Sequence, residues 1–168
     1  APPSMLAEQL VNTVAAQCML WQTSPAATEV EGLMVDWMRQ ALGLADGFTG
    51  VIQDSASSAT LSAVLTMRER ATGYTGNRVG LAQKGQLRVY CSDQVHSSID
   101  RAAWVAGIGQ DNLVKIAGGG DVYGMDAIAL DVAIQADIAA GHTPAGIIAI
   151  TGGTGVGACD DLGPILQV

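Results

Sequence analysis

Apolar residues recur at a helical period over several stretches and crowd into short runs between them. Residues 4–20 place Leu6, Leu10, Val14 and Cys18 on one stripe, and both faces are apolar enough to predict packing on more than one neighbour. Residues 21–27 read as a turn punctuated by Ser24-Pro25. Residues 28–43 are the clearest helix: Val30, Leu33, Met34, Trp37, Met38, Ala41 and Leu42 follow the 3.6-residue period, Thr28 and Glu31 stand at capping-box spacing, and Gly43 or Gly47 ends it. A short apolar run at 50–53 predicts a strand, followed by a helix over 56–71 and a loop marked by Gly73, Gly76 and Gly80. Further on, strands are predicted at 87–91, 113–116 and 146–150. Helices are predicted from 98 to Gly107 or Gly109, over 125–140 with Leu130, Ile134 and Ile138 inward and Gly141 as the stop, and over 161–167. Gly118-Gly119-Gly120 reads as a loop.

Alternating strands and helices predict a three-layer α/β fold with a mostly parallel sheet. The uninterrupted run Gly146–Ile150 suits a parallel strand covered on both faces. In such sheets ligands sit beyond the carboxyl ends of the strands, so the loops 54–58, 92–97 and 151–157 are expected to converge on one site.

Composition sharpens this outline. With 168 residues, 49% of them hydrophobic, the chain is long enough for a real core, and its 21 glycines suit close helix-to-sheet packing. A net charge of −8 with eight scattered Lys and Arg leaves no basic patch for a nucleic-acid backbone. Residues 1–20 lack the basic start of a targeting segment, and no run of apolar residues is long enough to span a bilayer, so the expectation is a cytoplasmic protein off the membrane. Cys18, Cys91 and Cys159 form no CxxC and read as reduced thiols. His96 and His142 form no HxxxH pair, so no metal site is expected.

Candidate chemistry gathers at the loops. After the 50–53 run comes a patch of small side chains, Ser55 to Thr60, at a helix start, where unpaired N–H groups and a partial positive charge can seat a phosphate. The alternative is that Asp54 or Ser55 only caps the helix. Gly153-x-Gly155-x-x-Ala158 matches a dinucleotide fingerprint, a weak signal in a glycine-rich chain, and the absence of a Gly-Lys dipeptide excludes a P-loop. His96 stands at a loop-to-helix junction beyond a strand end, where a contact to a cofactor competes with a plain structural role. Asp93 reads as a helix cap or an orienting group, and Asp160-Asp161 as the cap of the last helix.

Ser24-Pro25-Ala26-Ala27-Thr28-Glu29-Val30-Glu31, Asp36-Trp37-Met38, Gln53-Asp54-Ser55-Ala56-Ser57-Ser58-Ala59-Thr60, Ser92-Asp93-Gln94-Val95-His96-Ser97-Ser98 and Gly153-Thr154 together resemble, in order and spacing, the group II pyridoxal-phosphate-dependent amino acid decarboxylases. The likeness covers nearly the whole chain and is nearest to the aromatic-L-amino-acid branch. It implies part of the large domain of a fold-type I pyridoxal 5'-phosphate enzyme. Residues 1–24 would form an N-terminal helix and a dimer-facing turn, and 25–168 the first half of the cofactor-binding large domain. It further implies a homodimer that releases CO2 from an L-amino acid, aromatic in this branch. Ser55, Ala56 and Ser57 would be the phosphate cup, His96 the residue stacked on the pyridine ring, and Thr154 and Gly155 the loop flanking the cofactor. Gln17 and Met19 would line the partner's substrate pocket. The chain departs from the pattern by omission. Neither Lys84 nor Lys115 sits in the His-Lys-aromatic context of the Schiff-base lysine, and the His-x-Asp-Ala-Ala segment is absent, so these 168 residues alone are expected to be inactive. A non-catalytic binding remnant and a Rossmann-type oxidoreductase domain are the competing readings.

Overall fold

The computed structural model describes residues 1–82 and 84–168, which form two compact units, Ala1–Gln53 and Asp54–Val168. The first contains α1 (Pro2–Val14) and α2 (Pro25–Ala41). Helix α1 stops short of the expected residue 20 because Ala15 takes a left-handed conformation, φ 51°. Helix α2 opens earlier than the capping-box spacing implies: Pro25 occupies its first turn, where a missing N–H costs nothing, and Ser24 is the N-cap. Thr28 therefore lies inside the helix, its Oγ1 bonded to the Ser24 carbonyl. Glu31 turns elsewhere, its Oε1 accepting the Ile52 N–H at 2.7 Å. That bond explains why residues 50–53 form no strand. The amide that would enter a ladder is held by a carboxylate, and Val51 and Ile52 instead line, with Val35, Met38 and Phe48, an apolar cavity of about 350 Å³.

The second unit carries α3 (Ala56–Ala71), α4 (Gly76–Val79), β1 (Leu87–Ser92), α5 (Ser98–Val105), β2 (Leu113–Ile116), β3 (Gly118–Gly119), β4 (Gly124–Met125), α6 (Ala127–Ala139), β5 (Thr143–Ile148) and α7 (Leu162–Ile165). Strands β2, β1 and β5 form a parallel sheet in that order. The period-2 alternation of β1 decides the layers. Val89 and Cys91 pack with Val64 of α3 and Ile99, Ala102 and Ala103 of α5. Tyr90 faces the opposite way, among Met125, Leu130 of α6 and Ile165 of α7. The three-layer α/β arrangement expected from the pattern is thus present.

Two details set the packing distances. A Cβ on Gly146 would lie 2.7 Å from Met67 Sδ, so glycine here lets the Met67 side chain of α3 lie against β5. The β1–β5 register then shifts by one residue, Arg88 pairing with Pro144 and Val89 with Gly146, a bulge at the proline that has no N–H to donate. Strand β5, at one edge of the three, is half-buried rather than covered on both faces. The expected Gly118–Gly120 loop is in part a hairpin: β3 and β4 pair antiparallel, Gly118 with Met125 and Gly119 with Gly124. Among the described residues no helix is long and apolar enough to cross a membrane.

Leu130 is fully buried at the centre of the second core. Leu130→Ala should lower the unfolding free energy by about 2–5 kcal/mol in urea titrations, with the slope unchanged.

Candidate functional site

The start of α3 combines both readings of its sequence. Ser55 is extended (φ −154°, ψ 162°) and caps the helix, its Oγ accepting the Ser58 N–H at 3.3 Å and lying 3.1 Å from Ser58 Oγ. Asp54 makes no capping bond among the described residues. The N–H groups of Ala56 and Ser57 also find no partner there. The cap therefore consumes one orphan donor and leaves two others at the exposed positive end of a 16-residue helix, beside side chains small enough for an anion to reach them.

The segment after β1 is arranged around buried Ser92, whose Oγ accepts the Gln94 N–H at 3.1 Å. His96 follows on the exposed turn into α5. Its Nδ1 accepts the Ser98 N–H at 3.2 Å and lies 3.1 Å from Ser98 Oγ. A backbone N–H can only donate, so in the neutral ring Nδ1 is bare and the proton sits on Nε2. Ser57 and Ser58 of α3 line a cavity of about 200 Å³ with Ser98 and Arg101 of α5. The structure thus brings the 54–58 segment and the 92–98 segment side by side.

The loop after β5 is closed on itself. Thr151 bridges Cys159, the Gly153 N–H bonds the Ala158 carbonyl, and the Gly157 N–H bonds the Gly153 carbonyl, both at 2.8 Å. Thr154 and Gly155 lie exposed at its tip, one strand over from His96 on the same edge of the sheet; no hydrogen bond among the described residues links them to His96 or to Ser55–Ser57. The loop leads to a bridge and a four-residue helix, not into the long helix that a dinucleotide fingerprint requires directly after its strand. Gln17 and Met19 belong to the first unit, exposed in the turn after α1, with the Gln17 carbonyl accepting from Thr23 Oγ1 at 2.8 Å.

Lys115 is committed to an ion pair, Nζ to Asp100 Oδ1 at 2.8 Å, and that bond raises its pKa further above the ordinary lysine value. An amine kept charged is the opposite of what Schiff-base chemistry needs. Beside it, burial pushes the Cys91 thiol up to about 12, a rise that nearby Lys115 only partly offsets.

Pattern reasoning missed one residue of this edge. Asp161 caps α7, accepting the Gly163 N–H, but Asp160 does not share that task. It is 4% exposed, and its two oxygens accept the N–H groups of Met125 and Ile150, each at 2.7 Å. The available signal was the doublet itself: the aspartate preceding an N-cap has no helix N–H within reach.

Comparison with known proteins settles the lineage. The family model described as the pyridoxal-dependent decarboxylase conserved domain matches residues 1–168. This chain belongs to the pyridoxal-dependent decarboxylase family. It is 36% identical to the aromatic-L-amino-acid decarboxylase of Cavia porcellus over 178 residues, which takes in 97% of this chain and 36% of that relative. The Oryza sativa TDC solved with PLP and tryptamine superposes with a TM-score of 0.86 at 33% identity, covering 97% of this chain and 35% of that one. Catharanthus roseus tryptophan decarboxylase in complex with L-tryptophan gives a TM-score of 0.88 at 30% identity over 99% of this chain and 36% of that one. This decarboxylase-family chain therefore spans about a third of the length of the relatives it matches.

A raised thiol pKa keeps the unreactive protonated form until the pH approaches that value. At pH 8 the native protein should leave Cys91 unlabelled by a disulfide reagent while exposed Cys18 reacts, and Cys91 should label only on unfolding. Mass mapping of the labelled peptides checks this.

Proposed function

We propose that the intact protein is a pyridoxal 5'-phosphate-dependent decarboxylase acting on an L-amino acid with an aromatic side chain, and that residues 1–168 supply its phosphate cup and its ring-facing histidine. The observation that carries the reading is the start of α3. Two N–H groups without partners stand behind the Ser55 hydroxyl, beside the His96 segment, in a chain of this family. These residues fit the cofactor's phosphate: small, uncharged, and backed by a helix terminus that favours an anion.

When bound, the cofactor supplies the electron-accepting ring that lets a carboxyl group leave as CO2. The chain's own residues do the holding. Ser55, Ala56 and Ser57 bind the phosphate through N–H and hydroxyl donors. His96, oriented by the Ser98 N–H on its Nδ1, would face the ring with Nε2 free to carry a proton. Thr154 and Gly155 close the far side. Gln17 and Met19 reach the substrate pocket of the partner in a homodimer. Lys115 is engaged by Asp100, and neither Lys84 nor Lys115 stands in the sequence context of the Schiff-base lysine, so that lysine and the carboxylate facing the pyridine nitrogen would come from outside these residues. Relatives that act on aromatic amino acids support the substrate class, and free cysteines fit a cytoplasmic enzyme.

The intact protein should show a visible cofactor band abolished by borohydride and should release CO2 from an aromatic L-amino acid. An intact protein with no such band returns the chain to a non-catalytic binding role. Ala56→Asp sets a carboxylate against the phosphate and should weaken pyridoxal phosphate affinity at least about tenfold in titrations of the apo-protein. His96→Ala should keep the cofactor band and lower kcat by about a hundredfold or more; unchanged turnover and cofactor affinity would refute its role.

A further inference from the structure

Two carboxylates grip the two strands of the β3–β4 hairpin at its open end. Asp93, three residues before His96, receives the Gly118 N–H on Oδ1 at 3.1 Å, while its own N–H bonds the Ile116 carbonyl at 2.9 Å. Asp160, at the far side of the 151–157 loop, receives the Met125 N–H on Oδ1 and the Ile150 N–H on Oδ2. Its own N–H returns to the Ile150 carbonyl at 2.8 Å, and the neighbouring Cys159 N–H bonds the Val122 carbonyl at 3.0 Å. Gly118 and Met125 are the cross-strand partners of the hairpin, so the two clamps meet across one rung.

Both strands of the hairpin exclude a side chain at one glycine. A Cβ on Gly118 would lie 2.5 Å from the Tyr123 carbonyl oxygen, and one on Gly124 would lie 2.6 Å from the Cys159 carbonyl oxygen. Asp160 is buried, and among the described residues no cation pairs with it. A carboxylate kept inside a protein without a counter-ion is retained by the N–H groups it accepts, and here they come from two different segments.

We propose that the Gly118–Met125 hairpin is a brace that fixes the spacing between the His96 segment and the Thr154–Gly155 loop, with Asp93 and Asp160 as positioning residues of the cofactor site. This rests on reading those two segments as cofactor-flanking. Neither carboxylate touches the cofactor; each sets where a loop that does so stands. Because the clamps share one rung, loosening either end loosens both loops.

The test is residue-resolved amide hydrogen exchange on the intact apo-protein, paired with circular dichroism of the bound cofactor. In Asp160→Asn the side-chain NH2 must face a backbone N–H, donor against donor. Exchange at Met125 and Ile150 should accelerate about tenfold or more, as for loss of a charge-assisted hydrogen bond. Exchange at Gly118, at the other end of the brace, should accelerate with them. Asp93→Ala, which removes the acceptor of the Gly118 N–H, should produce the reciprocal pattern. Gly124→Ala should do the same with both carboxylates intact, which guards against a variant that fails to fold. Asp161→Ala, which removes only the α7 cap, should leave all three amides unchanged. In the loaded protein, Asp160→Asn and Asp93→Ala should shrink the dichroic band of pyridoxal phosphate and weaken its affinity about tenfold. Exchange that changes only next to the mutated residue overturns the brace, as does an unaltered dichroic band. If the unmodified protein binds no pyridoxal phosphate, the cofactor reading fails, and the exchange experiment still decides the brace.

Discussion

Everything in the larger unit depends on β1 being buried on both faces. A six-residue strand whose side chains alternate between two cores must be flanked by a layer on each side, and its two edges must find parallel partners. The sequence Leu-Arg-Val-Tyr-Cys-Ser meets that demand with one compromise, Arg88. Its guanidinium reaches the Asp111 carbonyl and Asn112 Oδ1, and its Nε lies 3.2 Å from Asp137 Oδ1. Asp137 in turn accepts the Tyr90 hydroxyl at 2.9 Å, and this bond together with burial holds the phenol well above its ordinary pKa. A polar stitch thus runs from β1 to α6, by a hydrogen bond from Tyr90 and by an ionic contact from Arg88, whose buried Nε makes no hydrogen bond. With β1 anchored on both faces, its carboxyl end and that of β5 become a fixed edge from which the His96 and Thr154 loops depart.

Much of this was legible in the order of residues. Helix α3 occupies the expected 56–71, β1 and β2 fall where apolar runs placed them, and Leu130 is inward with Gly141 ending α6. Period and punctuation are local properties, and a single sequence displays them directly. What escaped depends on partners that period cannot reveal. Val51 and Ile52 have the composition of a strand, yet the Ile52 amide is taken by Glu31, twenty-one positions earlier. Thr28 and Glu31 have capping spacing, but Pro25 claims the helix start. Three consecutive glycines suggested an open loop, whereas Gly118 and Gly119 pair with Met125 and Gly124 in a hairpin that excludes a side chain at Gly118 and at Gly124.

The same distinction separates the candidate site into two kinds of residue. Ser55, Ala56, Ser57 and His96 were visible as a helix start and a strand-end histidine, and the structure brings their segments together around one cavity. The arrangement that supports them was not visible. Asp160 looked like half of a capping doublet, and its two long-range bonds to Met125 and Ile150 only exist once the fold has formed. Residues that face a ligand often lie in recognisable local grammar, while those that hold the facing residues still are defined by the tertiary structure.

The bulge at Pro144 has a consequence for how this segment can vary in length. Ala145 packs on the α3 side, and Gly146 faces the same layer against Met67, so two successive residues share one side before alternation resumes with Ile147 toward Tyr90 and Ile148 toward Val89. The bulge absorbs one extra residue: without Ala145, Pro144 and Gly146 would follow one another in ordinary pairing with Arg88 and Val89, and every later side chain of β5 would keep its present face and partner. An insertion or deletion that the bulge does not absorb would instead turn the side chains that follow to the opposite layer. The bulge is thus a place where this segment can lose a residue without exchanging its two cores.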